Sequence, residues 1–171
     1  SFDWLYIDPS RRNEAKGKVF MLKDCLPNVP EKLDFYYRFT SNLMIKTAPI
    51  LDITAGLSEL QNVKAIHIVA LENEVKELLW IIEKNWTGNP KITTINLTKD
   101  QTESFTFEWN SMAQVQYSEP KTYLYEPNAA IMKSGGFDWI SAQFNLKKLH
   151  PHSHLYTSDT LIEFPGRVFV I

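Results

Sequence analysis

Asp8-Pro9-Ser10-Arg11-Arg12 brings a carboxylate, a rigid proline, a hydroxyl and two guanidinium groups into one short stretch. A carboxylate so placed accepts hydrogen bonds from an amine or hydroxyl of a substrate, and paired arginines clamp a phosphate bidentately. That chemistry suits a nucleotide-containing substrate. The same acid-proline pair also starts ordinary turns, and arginines often belong to a solvated face, so residue types alone leave both readings open. Lys46, in Ile45-Lys46-Thr47-Ala48-Pro49, is a second cation that either contacts an anionic substrate or stays in water. Tyr125, in Tyr123-Leu124-Tyr125, is a candidate aromatic platform for bases, against the alternative that these tyrosines pack a small module.

Two other constellations carry less. His150, His152 and His154 alternate along the chain, but no cysteine or fixed fourth ligand accompanies them, so no metal is expected. Cys25 is the single cysteine. It lies outside the acid-proline motif and reads as a small buried hydrophobe rather than a nucleophile.

The elements that must position these residues follow from pattern. Residues 2–7 (FDWLYI) suit a strand covered on both faces, and Pro9 stops it at Asp8. A short element at Val19-Phe20-Met21-Leu22 precedes a helix opened by Pro30 and running to about Thr40. Strands are expected at 42–47 (NLMIKT), 65–71 (AIHIVAL) and 91–97 (KITTINL). A short helix starts at Asp52 or Thr54, and another is expected from Asn73 to Asn85, with Val75, Leu78, Leu79 and Ile82 on one face. Strands alternating with helices indicate an α/β layered sheet.

The pattern changes near residue 100. Phe105, Phe107 and Trp109 alternate with polar residues, as Val115 does with Tyr117, which predicts a half-exposed antiparallel hairpin. A turn or strand at 123–125, helices at 128–133 and 137–146 broken by Gly135-Gly136, and strands at 155–157 and 167–171 complete a small α+β module. Residues 1–99 and 100–171 are therefore expected as two domains.

Composition limits the partners. The 171 residues carry a net charge of −2, so any polyanion site must be a local patch. One cysteine points to a reducing compartment, and no window approaches a membrane span or a signal layout, so a cytoplasmic location is expected.

Several segments, in order, carry a family resemblance: YIDPSRR, GKVFMLKDC, IKTAPILDI, NEVKELLW, YLYEPNAAIMKSGG, HLYTSD and FPGRVF. Together they resemble class I S-adenosylmethionine-dependent methyltransferases of Bacteroidetes type that carry a C-terminal THUMP-like module. The resemblance implies an α/β fold, the C-terminal half of a Rossmann-like methyltransferase sheet (strands 4 to 7), followed by a small α+β, ferredoxin-like module. It implies that Asp8, Pro9, Ser10 and Arg11 stand where the family has acid-Pro-Pro-aromatic, beside methyl donor and target; Arg12, Lys46 and Tyr125 are the substrate-side candidates from residue chemistry. Ser10 and Arg11 depart from that pattern by removing the ring that stacks on a flipped base.

The resemblance further implies S-adenosylmethionine as the parent protein's cofactor, with Asp8 touching it, and RNA (tRNA or rRNA) as partner. None of the six glycines forms a G-x-G turn after a strand. The chain is thus expected to begin at the fourth strand, with the cofactor-binding half upstream. Strand 2–8 would then be an exposed apolar edge that invites self-association. The reading from another functional class is a noncatalytic RNA- or protein-binding module on a degenerate methyltransferase scaffold.

Overall fold

The computed structural model describes residues 1–10 and 21–171, together with a small backbone pairing of Arg12–Asn13 (β2) and Gly17–Lys18 (β3). A six-stranded mixed sheet has the order β1-β4-β6-β5-β7-β8. These strands are β1 (Leu5–Ile7), β4 (Asn42–Thr47), β5 (Val63–Leu71), β6 (Glu74–Glu83), β7 (Lys91–Leu97) and β8 (Thr102–Glu108). A second, four-stranded antiparallel sheet has the order β10-β11-β9-β12. Its strands are β9 (Tyr123–Pro127), β10 (Lys147–Lys148), β11 (Tyr156–Ser158) and β12 (Gly166–Val170). The chain divides into two compact units, residues 1–68 with 76–92 and residues 69–75 with 93–171.

In the first unit, β1 runs parallel to β4 and β4 antiparallel to β6. The inward residues Leu43, Ile45, Leu78, Trp80 and Ile82 are fully buried. Two helices are capped as their sequences dictate. Asn28 accepts from the Glu31 N–H ahead of α1 (Val29–Tyr36), and Asp52 accepts from the Ala55 N–H ahead of α2 (Ile53–Glu59). Gly56 of α2 lies against the Trp80 ring, where a Cβ would collide with the ring carbons. The Trp80 indole N–H donates to Thr47 Oγ1 at 2.9 Å, which satisfies the one polar atom of this buried ring.

The structure corrects the expected helix over Asn73 to Asn85, which is strand β6. Glu72 and Asn73 both have positive φ, 48° and 62°, and form the two-residue turn of a hairpin between β5 and β6. Asn73 thus supplies a left-handed turn rather than a helix cap. The run Leu78 to Ile82 satisfies helical and strand periods alike, and pairing Trp80 with Ile45 and Ile82 with Leu43 in β4 decides for the strand. The coverage expected for residues 2–7 is also corrected. β1 is the sheet edge, and Phe2, Trp4 and Tyr6 are 65%, 51% and 55% exposed.

The second unit packs α3 (Ala129–Ser134) and α4 (Phe137–Phe144) with its sheet around Phe105, Tyr125, Ile131, Ile140, Tyr156 and Phe164. Tyr125 and Phe144 meet the Phe164 ring edge-on at 5.2 and 5.5 Å. Asn128 caps α3, and its amide donates to Glu103 Oε2, which also accepts from Asn96. The hairpin expected between residues 105–109 and 115–117 does not form. Tyr117 instead bridges Lys148 in parallel, through Lys148 N–H to Gln116 and Ser118 N–H to Lys148, so β10 takes that segment's backbone groups. Among the described residues, no helix is long and apolar enough to cross a membrane.

Candidate active site

The parallel pairing of β1 with β4 places Ile7 opposite Ile45, both buried in the core. Side chains alternate along a strand, so the next residues, Asp8 and Lys46, leave on the other face at the carboxyl ends of their strands. There Lys46 Nζ stands 2.7 Å from Asp8 Oδ2 and 3.9 Å from Glu77 Oε1. The side chains of Asp8, Lys46 and Glu77 are 51%, 29% and 39% exposed, a partly open site. The hydrogen bond to Asp8 raises the Lys46 ammonium above the usual lysine range. The charges of Glu77, Asp8 and Tyr6 act in the same direction and burial acts against them.

The loop after β1 is fixed by backbone. Pro9 is buried, and Ser10 and Leu26 exchange reciprocal N–H to carbonyl bonds of 2.7 and 3.2 Å. Asp8 is therefore held between a strand end and a two-bond clamp, while Lys46 orients one of its oxygens. Among the described residues the other oxygen has no partner and stands available to accept from a substrate N–H or O–H. A carboxylate held in this way can orient a nucleophile of that kind and take its proton.

The structure brings together Asp8, Pro9, Ser10 and Lys46. The side chains of Arg11 and Arg12 lie outside the described residues. Tyr125 does not serve as an exposed platform. It is fully buried in β9 of the second unit, where its hydroxyl donates to the Thr160 carbonyl at 2.8 Å and accepts from the Ile162 N–H. Its neighbours in register, Tyr156 on one side and Val168 on the other, explain the burial, because β9 is an interior strand of its sheet. Glu77 was not foreseen from the sequence, because it shares the face of Lys46 only when residues 74–83 form a strand.

Cys25 is buried, and its thiol donates to the Met21 carbonyl at 3.4 Å. The three imidazoles do not converge. His150 and His152 have ring centroids 5.4 Å apart, whereas His154 stacks on Phe137 at 3.7 Å. No group of three His, Cys, Asp or Glu residues able to hold a metal is found among the described residues.

Outside the β2–β3 pairing, the glycines are committed to other work. Gly56 and Gly88 lie against the Trp80 and Trp86 rings, Gly135 and Gly136 join α3 to α4, and Gly166 is in β12. None makes a turn after a parallel strand in which backbone N–H groups approach a nucleotide. The described residues therefore do not make a complete S-adenosylmethionine site.

The chain is similar to the crystal structure of a putative methyltransferase from Porphyromonas gingivalis W83, at a TM-score of 0.85 and 34% identity over 98% of this chain. It spans 43% of the length of that protein. No curated protein matches the chain. Residues 123–165 match the family model of a ferredoxin-like domain, which corresponds to the span from β9 through both helices to the residue before β12.

Proposed function

We propose that this chain is the target-side part of an S-adenosylmethionine-dependent methyltransferase that acts on RNA, tRNA or rRNA. The observation that carries the reading is the Asp8–Lys46 pair, 2.7 Å apart at the carboxyl ends of parallel β1 and β4. That is where open α/β sheets bind ligands. Likeness to the Porphyromonas protein over 98% of the chain supports the transferase class. On this reading β1, β4 and the β5–β6 hairpin are strands 4 to 7 of a Rossmann-like sheet within residues 1–99. Residues 100–171 form the THUMP-like module that positions the substrate.

In the parent protein, S-adenosylmethionine supplies the methyl group and is held mainly by residues outside this chain. The residues described here handle the target. Asp8 accepts a hydrogen bond from the nucleophilic N–H or O–H and takes up its proton. Lys46 holds the carboxylate in one orientation, and Glu77 holds Lys46 from its other side. Pro9 and the Ser10–Leu26 bridge fix the approach, and Arg11 and Arg12, next in the sequence, supply cations for the phosphates of the substrate.

The test is Asp8→Ala in the full-length parent, with transfer of a labelled methyl group to total RNA as readout. Methyl transfer collapses while RNA binding persists if the proposal holds. Unchanged transfer would instead assign the chain to a noncatalytic RNA- or protein-binding module.

A further inference from the structure

The second unit holds an open cleft of about 590 Å³ that the methyl-transfer reading does not use. Phe107, Trp109 and Trp139 give it aromatic walls, and Asp138, Lys148 and His154 give it polar atoms. Gly136 lines it as well, and only glycine fits there, because a Cβ would run into the Phe107 ring.

Two polar groups of this cleft have capacity left over. The Lys148 side chain is only 4% exposed, and its ammonium donates to Asp138 Oδ1 at 3.0 Å and to the Pro151 carbonyl at 3.3 Å. That is two acceptors for three N–H groups. His154 Nδ1 is buried and has no hydrogen-bond partner among the described residues. Stacking on Phe137 fixes the plane of the ring. Burial, and then the charge of Lys148, hold the imidazole below the usual histidine range, so the neutral ring offers one donor nitrogen and one acceptor. A complementary ligand is flat, has an aromatic face, and presents a hydrogen-bond acceptor next to a donor on one edge. Aliphatic and purely aromatic side chains lack that edge.

We propose that this cleft receives one unstacked nucleobase of a single-stranded RNA segment, its face on the aromatic wall and its polar edge on Lys148 and His154. The ligand class rests on the RNA reading above. For uracil, a carbonyl oxygen accepts the remaining Lys148 N–H, and a shift of the side chains that cover His154 Nδ1 lets the ring N–H donate to it. Trp109 and Trp139 make such binding visible in fluorescence.

The experiment titrates the full 171-residue chain with hexauridylate, with uridine monophosphate and with hexauridylate methylated at N3, following tryptophan quenching. Nuclear magnetic resonance shifts of the Gly136 amide and the His154 ring locate the contact. Hexauridylate is expected to quench and to shift both signals, and to bind more tightly than the monophosphate. N3 methylation weakens it about tenfold, as loss of one buried hydrogen bond does. His154→Phe keeps a ring on Phe137, removes both nitrogens and weakens binding by a similar factor. If that variant is unfolded by circular dichroism, the methylated ligand still decides on the unaltered protein. Absence of quenching, indifference to N3 methylation, or shifts elsewhere in the chain would overturn the proposal. Monophosphate binding as tight as the hexamer would replace RNA by a free nucleotide. Asp8→Ala leaves this binding unchanged, so failure of the cleft and failure of the methyl-transfer reading are separate results.

Discussion

Replacing Gly56 by alanine should destabilise the protein, although the same exchange stabilises most helices. In a helix interior alanine is favoured over glycine by about 1 kcal/mol. At Gly56 the added methyl would meet the Trp80 ring, with Cζ2 at 2.7 Å and Cζ3 at 3.0 Å. The ring cannot retreat cheaply, because Trp80 is fully buried and its N–H is bound to Thr47. Overpacking of this kind costs about 1–3 kcal/mol, and a pinned ring puts the cost near the upper end. The net loss is then about 2 kcal/mol, or a fall in Tm of about 4–8 °C for a chain of this size. Trp80→Phe removes the carbons that collide. In that background Gly56→Ala should become neutral or stabilising by up to about 1 kcal/mol. Thermal and urea denaturation of the four proteins of this cycle give the answer. A stabilising Gly56→Ala in the wild-type background, or the same loss in both backgrounds, would refute the packing of α2 on an inward-facing Trp80. With it would fall the β6 register that sets Glu77 beside Lys46.

Three further outcomes follow from the same geometry. Lys46→Ala should change stability by less than about 1 kcal/mol in urea denaturation, because its ion pair is partly exposed; a larger loss would mean that the pair is structural. The His154 ring should titrate with a midpoint below its ordinary value by nitrogen-15 resonance. The folded state then binds this proton less readily than the unfolded chain, so its contribution is present at neutral pH. It is lost as pH falls below the unfolded value of about 6.5, and a midpoint at or above that value would contradict the burial. The exposed Tyr6 of edge strand β1, with the exposed Phe2 and Trp4 just before it, should make the chain self-associate in sedimentation runs at rising concentration. Tyr6→Lys should reverse this, and a monomer at every concentration would count against it.

Local signals in the sequence were legible where one residue type has one physical use. Pro30 lies in the first turn of α1, Asp52 caps α2, and the Gly135-Gly136 pair breaks α3 from α4 with Gly135 at φ 72°. Strands β4, β5 and β7 were legible as β-branched runs closed by turn residues. β6 was not, because Leu78-Leu79-Trp80-Ile81-Ile82 is apolar throughout and fits both periods. Asn73, a good helix cap, is equally good at positive φ. The choice lay in pairing with β4, which no local pattern contains. The same non-locality hid Glu77, visible at the site only through the β4–β6 register, and His154, whose unmet nitrogen depends on α4 covering it. Asp8 and Lys46 were legible as residues at strand ends. Their 2.7 Å pairing required β1 and β4 to be neighbours and parallel. The Tyr123-Leu124-Tyr125 pattern could not tell an exposed tyrosine from a buried one until β11 and β12 were found on either side of β9.

On the proposed function Asp8 handles the methyl acceptor, which is read out by kcat/KM for labelled methyl transfer by the full-length parent carrying Asp8, Asp8→Asn or Asp8→Ala. A positioned proton acceptor contributes about 10²–10⁴-fold, so both variants should lose at least a hundredfold, about 2.7 kcal/mol of transition-state stabilisation. Asparagine keeps the shape but not the basicity and should not rescue. Transfer rates within twofold of wild type for either variant would contradict the account.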